Sequence, residues 1–162
     1  MSHLVGNEPC KVDVNGRFKM PKKLLEQLDL STNRSFAIRK KLDDQCLEMF
    51  SYNGFQEEMD WILEHVDRNG NDDEEALFDA LTDVDVIKLD EGDRLPLPKR
   101  LSEELKIASD IVIRGAGNRF EIRIKENCEQ KREQRKKNEK KLKNLRANLS
   151  KRNDKIQQTP DK

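Results

Sequence analysis

The chain has 162 residues, 40% of them charged and 34% hydrophobic, and no apolar run nears the roughly 20 residues of a membrane span. Its start, MSHLVGNEPCKVD, lacks the basic and apolar stretches of a signal peptide, so a soluble, cytoplasmic protein with no membrane partner is expected. Net charge is zero but unevenly placed: residues 125–162 hold 14 Lys and Arg against 6 Asp and Glu, the rest 18 against 26, so an acidic body with a basic tail faces either a polyanion or other copies of itself.

Cys10, Cys46 and Cys128 are far apart, and the histidines, His3 and His65, are isolated. That leaves no disulfide framework, no zinc-ligand spacing and no Cys–His or Ser–His pair. No metal, no cofactor, no small-molecule substrate and no enzymatic activity are expected.

In chain order, Cys10–Val14 reads as a short strand and Asn15-Gly16 as a tight turn, since both residues tolerate positive φ. A second short strand ends at Pro21, which suits a helix start. Leu24, Leu25 and Leu28 then fall at helical spacing, and FAIRK (36–40) with CLEMF (46–50) makes a hairpin. Phe55, Met59, Ile62 and Val66 form an apolar helix stripe read as core, with Trp61 beside it; DRNGNDDEE (67–75) reads as a loop. Residues 56–91 carry 14 acidic and 2 basic side chains and account for the body's negative charge.

From Val86 the pattern returns. A strand over Val86–Leu89, a turn at Glu91-Gly92-Asp93, a strand to Pro98, helix leucines at 101 and 105, and a hairpin of IVIR with FEIRI across GAGN repeat the first half. At an offset of 77 residues Lys11 falls on Lys88, Asp13 on Asp90, Arg17 on Arg94, Pro21 on Pro98, Lys22 on Lys99, and Leu24 on Leu101. Strands this short cannot bury a sheet face alone. The expected fold is therefore α+β, mainly β: two pseudo-symmetric ββαββ repeats interleaved around one small barrel-like core, with connector helices and a charged C-terminal tail. The expected boundaries are a first repeat at 4–54, an acidic helical connector at 55–83, a second repeat at 84–126 and a basic, helical or disordered tail at 127–162. The tail's leucines, at 142, 145 and 149, are too sparse for a coiled-coil seam. Its net positive charge suggests non-specific phosphate contacts.

The two arginines placed just after a turn, Arg17 and Arg94, are the first candidates for a ligand contact, because guanidinium forks suit phosphates and guanine edges. Asp13 and Asp90, four residues earlier, either pair with those arginines or brace the turn, in which Gly16 supplies the conformational freedom. Lys11, Lys19, Lys22 and Lys23 add charge around Arg17; Lys88, Lys99 and Arg100 do so around Arg94. Glu91 and Asp93 repel phosphate, so the first repeat is expected to do most of the binding. Arg39, Lys40 and Lys41 are expected to be solvated, and Arg114 and Arg119 merely to flank a hairpin turn.

HLVGNEPCKVDVNGRFKMP, with a glycine ahead of D-x-x-G-R and then a proline, and IVIRGAGNRFEI, a hairpin around a glycine-containing loop, resemble the opening and the close of MraZ proteins. The resemblance covers roughly Leu4 to Lys125. It implies tandem AbrB-like, swapped-hairpin repeats, assembly into a ring, and sequence-specific binding of double-stranded DNA at short repeated promoter elements through the residues above. It further implies a nucleoid-associated transcriptional regulator of the division and cell-wall gene cluster that includes its own operon. AbrB-like folds also occur in antitoxins, so the alternative is a protein-interaction module without specific DNA binding. The sequence departs from the family pattern at Asp93, where a glycine stands in relatives and a different turn geometry is expected, in the acidic stretch after Trp61, and in the tail, which lies outside the shared pattern.

Overall fold

The computed structural model describes residues 3–41, 44–65 and 71–157, and the chain divides into two units, residues 1–125 and 126–162. The first unit carries β1 (Asn7–Lys11), β2 (Arg17–Lys19), α1 (Lys22–Leu25), β3 (Ser35–Lys40), β4 (Leu47–Ser51), α2 (Tyr52–His65), α3 (Asn71–Thr82), β5 (Asp85–Lys88), β6 (Arg94–Pro96), α4 (Lys99–Glu104), β7 (Asp110–Gly115) and β8 (Phe120–Ile124). The helix α5 (Lys125–Gln157) begins at the end of the first unit and supplies the described residues of the second.

The fold is α+β and mainly β, and the two repeats exchange strands. The six-stranded antiparallel sheet runs β1-β7-β8-β4-β3-β5, with β1 and β5 as its edges, while β2 and β6 pair as a separate two-stranded ribbon. Each repeat's first strand thus lies against the other repeat's hairpin: Cys10 opposite Ile111 in one half, Ile87 opposite Phe36 in the other. Reading the order from either edge gives the same sequence of equivalents, so a pseudo-two-fold axis passes between β4 and β8, where Glu48 faces Glu121, and between β2 and β6, where Phe18 faces Leu95.

The strands alternate as half-buried strands must. Phe36, Ile38, Leu47 and Met49 from one hairpin, and Ile111, Ile113, Phe120 and Ile122 from the other, all face a single core. Phe18 and Leu95 close that core from the ribbon, Leu24 and Leu101 from the short helices, and Met20 and Leu105 from just beyond those elements. Each fully buried Phe or Leu contributes roughly 1.5–3 kcal/mol. Pro21 (φ −58°) and Pro98 (φ −56°) cap α1 and α4 alike. Gly115 is required by contact: a Cβ there would come within 2.5 Å of the Leu4 backbone, which lies across it.

On the opposite sheet face Ala37 and Phe50 pack against Phe55 and Met59 of α2, with Ile62 half-buried beside them and Trp61 exposed, as a core-facing stripe should; Val66 lies outside the described residues. The stretch read as a loop at 67–75 is helical from Asn71, within α3. No helix among the described residues is long and apolar enough to cross a membrane.

Candidate nucleic-acid interface

The β2–β6 ribbon presents two chemically distinct faces. Phe18 and Leu95 turn inward, so Arg17, Lys19, Arg94 and Pro96 face outward and are exposed. The register sets Lys19 directly opposite Arg94, and Met20 N–H donates to Asp93 C=O at 2.8 Å just beyond that pair. Like charges opposite one another on a ribbon are destabilising. The fold therefore tolerates a repulsion on its surface that an anion would relieve.

Two matching turns lead into the ribbon. Asp13 Oδ1 accepts from the backbone N–H of Asn15 (2.9 Å) and Arg17 (3.0 Å). Asp90 Oδ1 accepts from those of Gly92 (2.9 Å) and Arg94 (2.8 Å). The Asp13 N–H reaches Arg17 C=O at 2.8 Å, and the Asp90 N–H reaches Arg94 C=O at 3.0 Å. Gly16 sits at φ 77° and Asp93 at φ 60°. The second turn thus keeps the first turn's geometry, contrary to the expectation raised by Asp93, because aspartate is one of the few residues that visits the left-handed region.

Both aspartates brace turn backbone, and the ion pair crosses between repeats: Arg17 Nη1 lies 3.6 Å from Asp90 Oδ2. The Arg94 N–H, then that of Gly92 and the charges of Arg17 and Arg94, hold the Asp90 carboxyl below its ordinary range despite some desolvation.

The surrounding cations differ in freedom. Lys11, Lys19, Lys22 and Arg94 are exposed and make no ion pair among the described residues. Lys23 and Lys99 make only 3.9 Å contacts, to Glu8 and Glu103. Arg100 is held by Asp85 (2.7 Å) and Asp83 (3.3 Å) and is the most committed of the eight candidates. Sequence reasoning missed Arg34, which pairs with Asp93 at 3.2 Å and donates to Asp90 C=O at 3.1 Å. It brings a positive charge to the second turn and, with Lys88, Leu89, Asp90 and Glu91, lines an open cleft.

A second charged cluster lies on the sheet face away from the ribbon. Glu48 and Glu121, each 5% exposed, face one another across β4 and β8. Arg39 Nε (3.0 Å) and Arg119 Nη1 (2.7 Å) donate to Glu48. Arg114 (2.8 Å), Arg123 (2.8 Å) and Lys41 (3.3 Å) donate to Glu121, and Arg123 also grips Asp44 at 2.8 Å. Burial works against the Glu121 carboxylate, but the Arg114 hydrogen bonds and the Arg114 and Arg123 charges prevail and hold its pKa down at about 2. Burial pushes the neighbouring Cys46 thiol up to about 11. Arg39, Lys41, Arg114 and Arg119 are thus structural anchors, not the solvated or turn-flanking residues expected; Lys40 pairs with Glu104 at 3.4 Å.

A chain whose two ββαββ halves exchange first strands and join second strands into a basic ribbon is a tandem AbrB-like, swapped-hairpin protein. Comparison with known proteins narrows the class. The family model described as MraZ protein, antitoxin-like, matches residues 81–152. Proteins named Transcriptional regulator MraZ align over most of the chain. That of Flavobacterium psychrophilum is 32% identical over 127 residues, 75% of this chain and 77% of the relative. That of Bacteroides fragilis is 27% identical over 129 residues (80% and 82%), and that of Christiangramia forsetii 30% over 135 residues (80% and 83%). The chain belongs to the MraZ family, whose members are named for regulation and not for an enzymatic activity. The family match continues past Lys125 into α5, so the basic helix is part of the shared pattern, not outside it as expected.

Proposed function

We propose that this chain is a cytoplasmic, nucleoid-associated, sequence-specific DNA-binding transcriptional regulator. It acts as a ring homo-oligomer on short repeated promoter elements, among them those of its own operon and of the division and cell-wall genes. The observation that carries the reading is the exposed ribbon with Lys19 opposite Arg94 and Arg17 beside them. A two-stranded ribbon has the width the major groove of B-DNA admits, and arginine is the side chain best suited to a guanine edge. The Arg17–Asp90 pair is long and more than a third exposed on each side, so water already weakens it and a phosphate or base competes with it readily. Lys11, Lys22 and Lys23 supply phosphate contacts around the ribbon, which position without specifying sequence. The first repeat leads because Glu91 and Asp93 stand at the second turn and Arg100 is engaged by Asp83 and Asp85. Neighbouring protomers on repeated elements raise avidity through effective concentration. The names carried by the family's members support regulation; the antitoxin-like description of the family supports the rival, a protein-interaction module.

The test is fluorescence anisotropy on the DNA upstream of this protein's own gene, with scrambled DNA as control, across a salt series. Wild type is expected to prefer the native sequence with a steep salt slope. Arg17→Ala should lose about 1–3 kcal/mol of that preference, and Arg94→Ala less. Equal binding to both DNAs, unmoved by either substitution, would overturn the proposal in favour of the protein-interaction module.

A further inference from the structure

The helix α5 carries Leu142, Leu145 and Leu149, exposed at 50%, 57% and 50%. At 100° per residue the three fall within one narrow stripe, flanked by Lys141 and Arg152 on one side and by Lys143 and Arg146 on the other. Bare phosphates offer nothing to such a stripe. Leucines rimmed by cations fit an apolar strip rimmed by carboxylates. Pairing of α5 with α5 is disfavoured, since residues 134–153 hold nine basic side chains against one acidic.

The matching surface is on α3. Phe78 and Leu81 are 66% and 50% exposed, Leu77 is half-buried beside them, and Glu74, Glu75 and Asp79 stand exposed around them. The stretch 56–91, with its 14 acidic and 2 basic residues, is the chain's concentrated source of negative charge. Exposed apolar stripes rimmed by charge of opposite sign mark a contact between proteins. We propose that α5 of one copy docks its leucine stripe on α3 of a second copy, with the lysines and arginines of α5 meeting the carboxylates of α3. This gives the self-association proposed above a specific surface and rests on that reading. It makes the basic helix an assembly element and not a DNA tail.

The experiment mixes equal amounts of 14N- and 15N-labelled full-length chain, joins amines to carboxylates with a zero-length carbodiimide, and reads the joined peptides by mass spectrometry. Sedimentation velocity at low and high salt runs in parallel. Mixed-isotope links from Lys140, Lys141 or Lys143 to Glu74, Glu75 or Asp79 are expected. They should fall at least tenfold at 1 M salt and in Leu142→Ala/Leu145→Ala/Leu149→Ala, a variant that keeps its helical circular dichroism because alanine favours helix. Links confined to chains of one isotope would overturn the proposal in favour of folding back on the same chain. Assemblies that survive the triple substitution with no mixed links would overturn this docking surface while leaving self-association standing. Loss in the triple variant of DNA affinity alone, with sedimentation unchanged, would return α5 to the DNA.

Discussion

Asp93 occupies, at φ 60°, the position that Gly16 occupies at φ 77° in the first turn. Glycine there relieves a conformational cost on the order of 1 kcal/mol but adds entropy to the unfolded chain, and it removes the half-exposed Arg34–Asp93 pair, itself worth under about 1 kcal/mol. Asp93→Gly is therefore expected to leave the denaturation midpoint within about 1 kcal/mol of wild type. Its DNA affinity should rise on the proposed function, since a carboxylate leaves the proposed binding face and Arg34 is released. Weaker DNA binding would show instead that Asp93 positions Arg34. Glu121 makes a pH prediction. Its carboxyl titrates at about 2 in the fold against an ordinary 4.5, so the unfolded chain takes up the proton first as pH falls. The stabilisation, up to about 3 kcal/mol, is complete above the unfolded value and is lost between roughly pH 5 and pH 2. Urea titrations over that window should show Glu121→Gln with a flatter acid limb than wild type, and parallel limbs would contradict the assignment. At this scale the sequence is legible where chemistry is local. The Asp13 and Asp90 braces span four residues, whereas Arg119 reaches Glu48 from 71 residues away and Arg34 reaches Asp93 from 59. Those partners become visible only once the β4–β8 and β3–β5 registers are known.

Between elements, the two repeats differ most usefully at the sheet edges. In β1 the even residues bond to β7: Val12 N–H donates to Ser109 C=O at 2.8 Å, so the N–H position of residue 9 points away from the sheet. Proline, which has no N–H, sits there at no loss and blunts the edge against further pairing. The offset of 77 maps Pro9 onto Val86 in β5. Leu89 N–H donates to Arg34 C=O at 2.9 Å, so Val86 likewise points its N–H outward, while that of Ile87 faces β3. Val86→Pro is expected to cost no more than about 1 kcal/mol, and Ile87→Pro about 3 kcal/mol or more, by thermal denaturation. Equal costs would mean that the register drawn from the repeat is wrong. The second strands and short helices were legible because they return at an offset of 77 residues, and the hairpins because they return at 75 and 73. The first strand runs over Asn7–Lys11 and not over Cys10–Val14, whose end is taken up by the turn that Asp13 braces. The helix α3 was not, because Asn-Gly-Asn-Asp carries the composition of a loop although Asn71 already begins the helix.

At the scale of the whole molecule, the duplication becomes one fold through exchange. A half chain ending after Asp83 retains the β3–β4 hairpin but loses the partner of β1, which is β7, the partner of β2, which is β6, and the strand that covers β3, which is β5. A lone hairpin is marginal in water, so residues 1–83 and 84–162 are each expected to lack protected amides alone and to gain them on mixing. Two copies of one half can in principle exchange strands with each other, and the axis residues decide against it. In the chain the ribbon centre sets Phe18 on Leu95, and both are buried to 1% exposure or less. A homodimer of the first half would set Phe18 on Phe18 in the same space, and overpacking a core of this density costs typically 1–3 kcal/mol. It would also set Glu48 on Glu48 without Arg119, Arg114 and Arg123, the second-half residues that neutralise the charged pair at the axis. Native mass spectrometry of the mixed fragments should therefore show the one-to-one heterodimer well in excess of either homodimer. A statistical mixture of the three would mean that the halves had not diverged to fit one another.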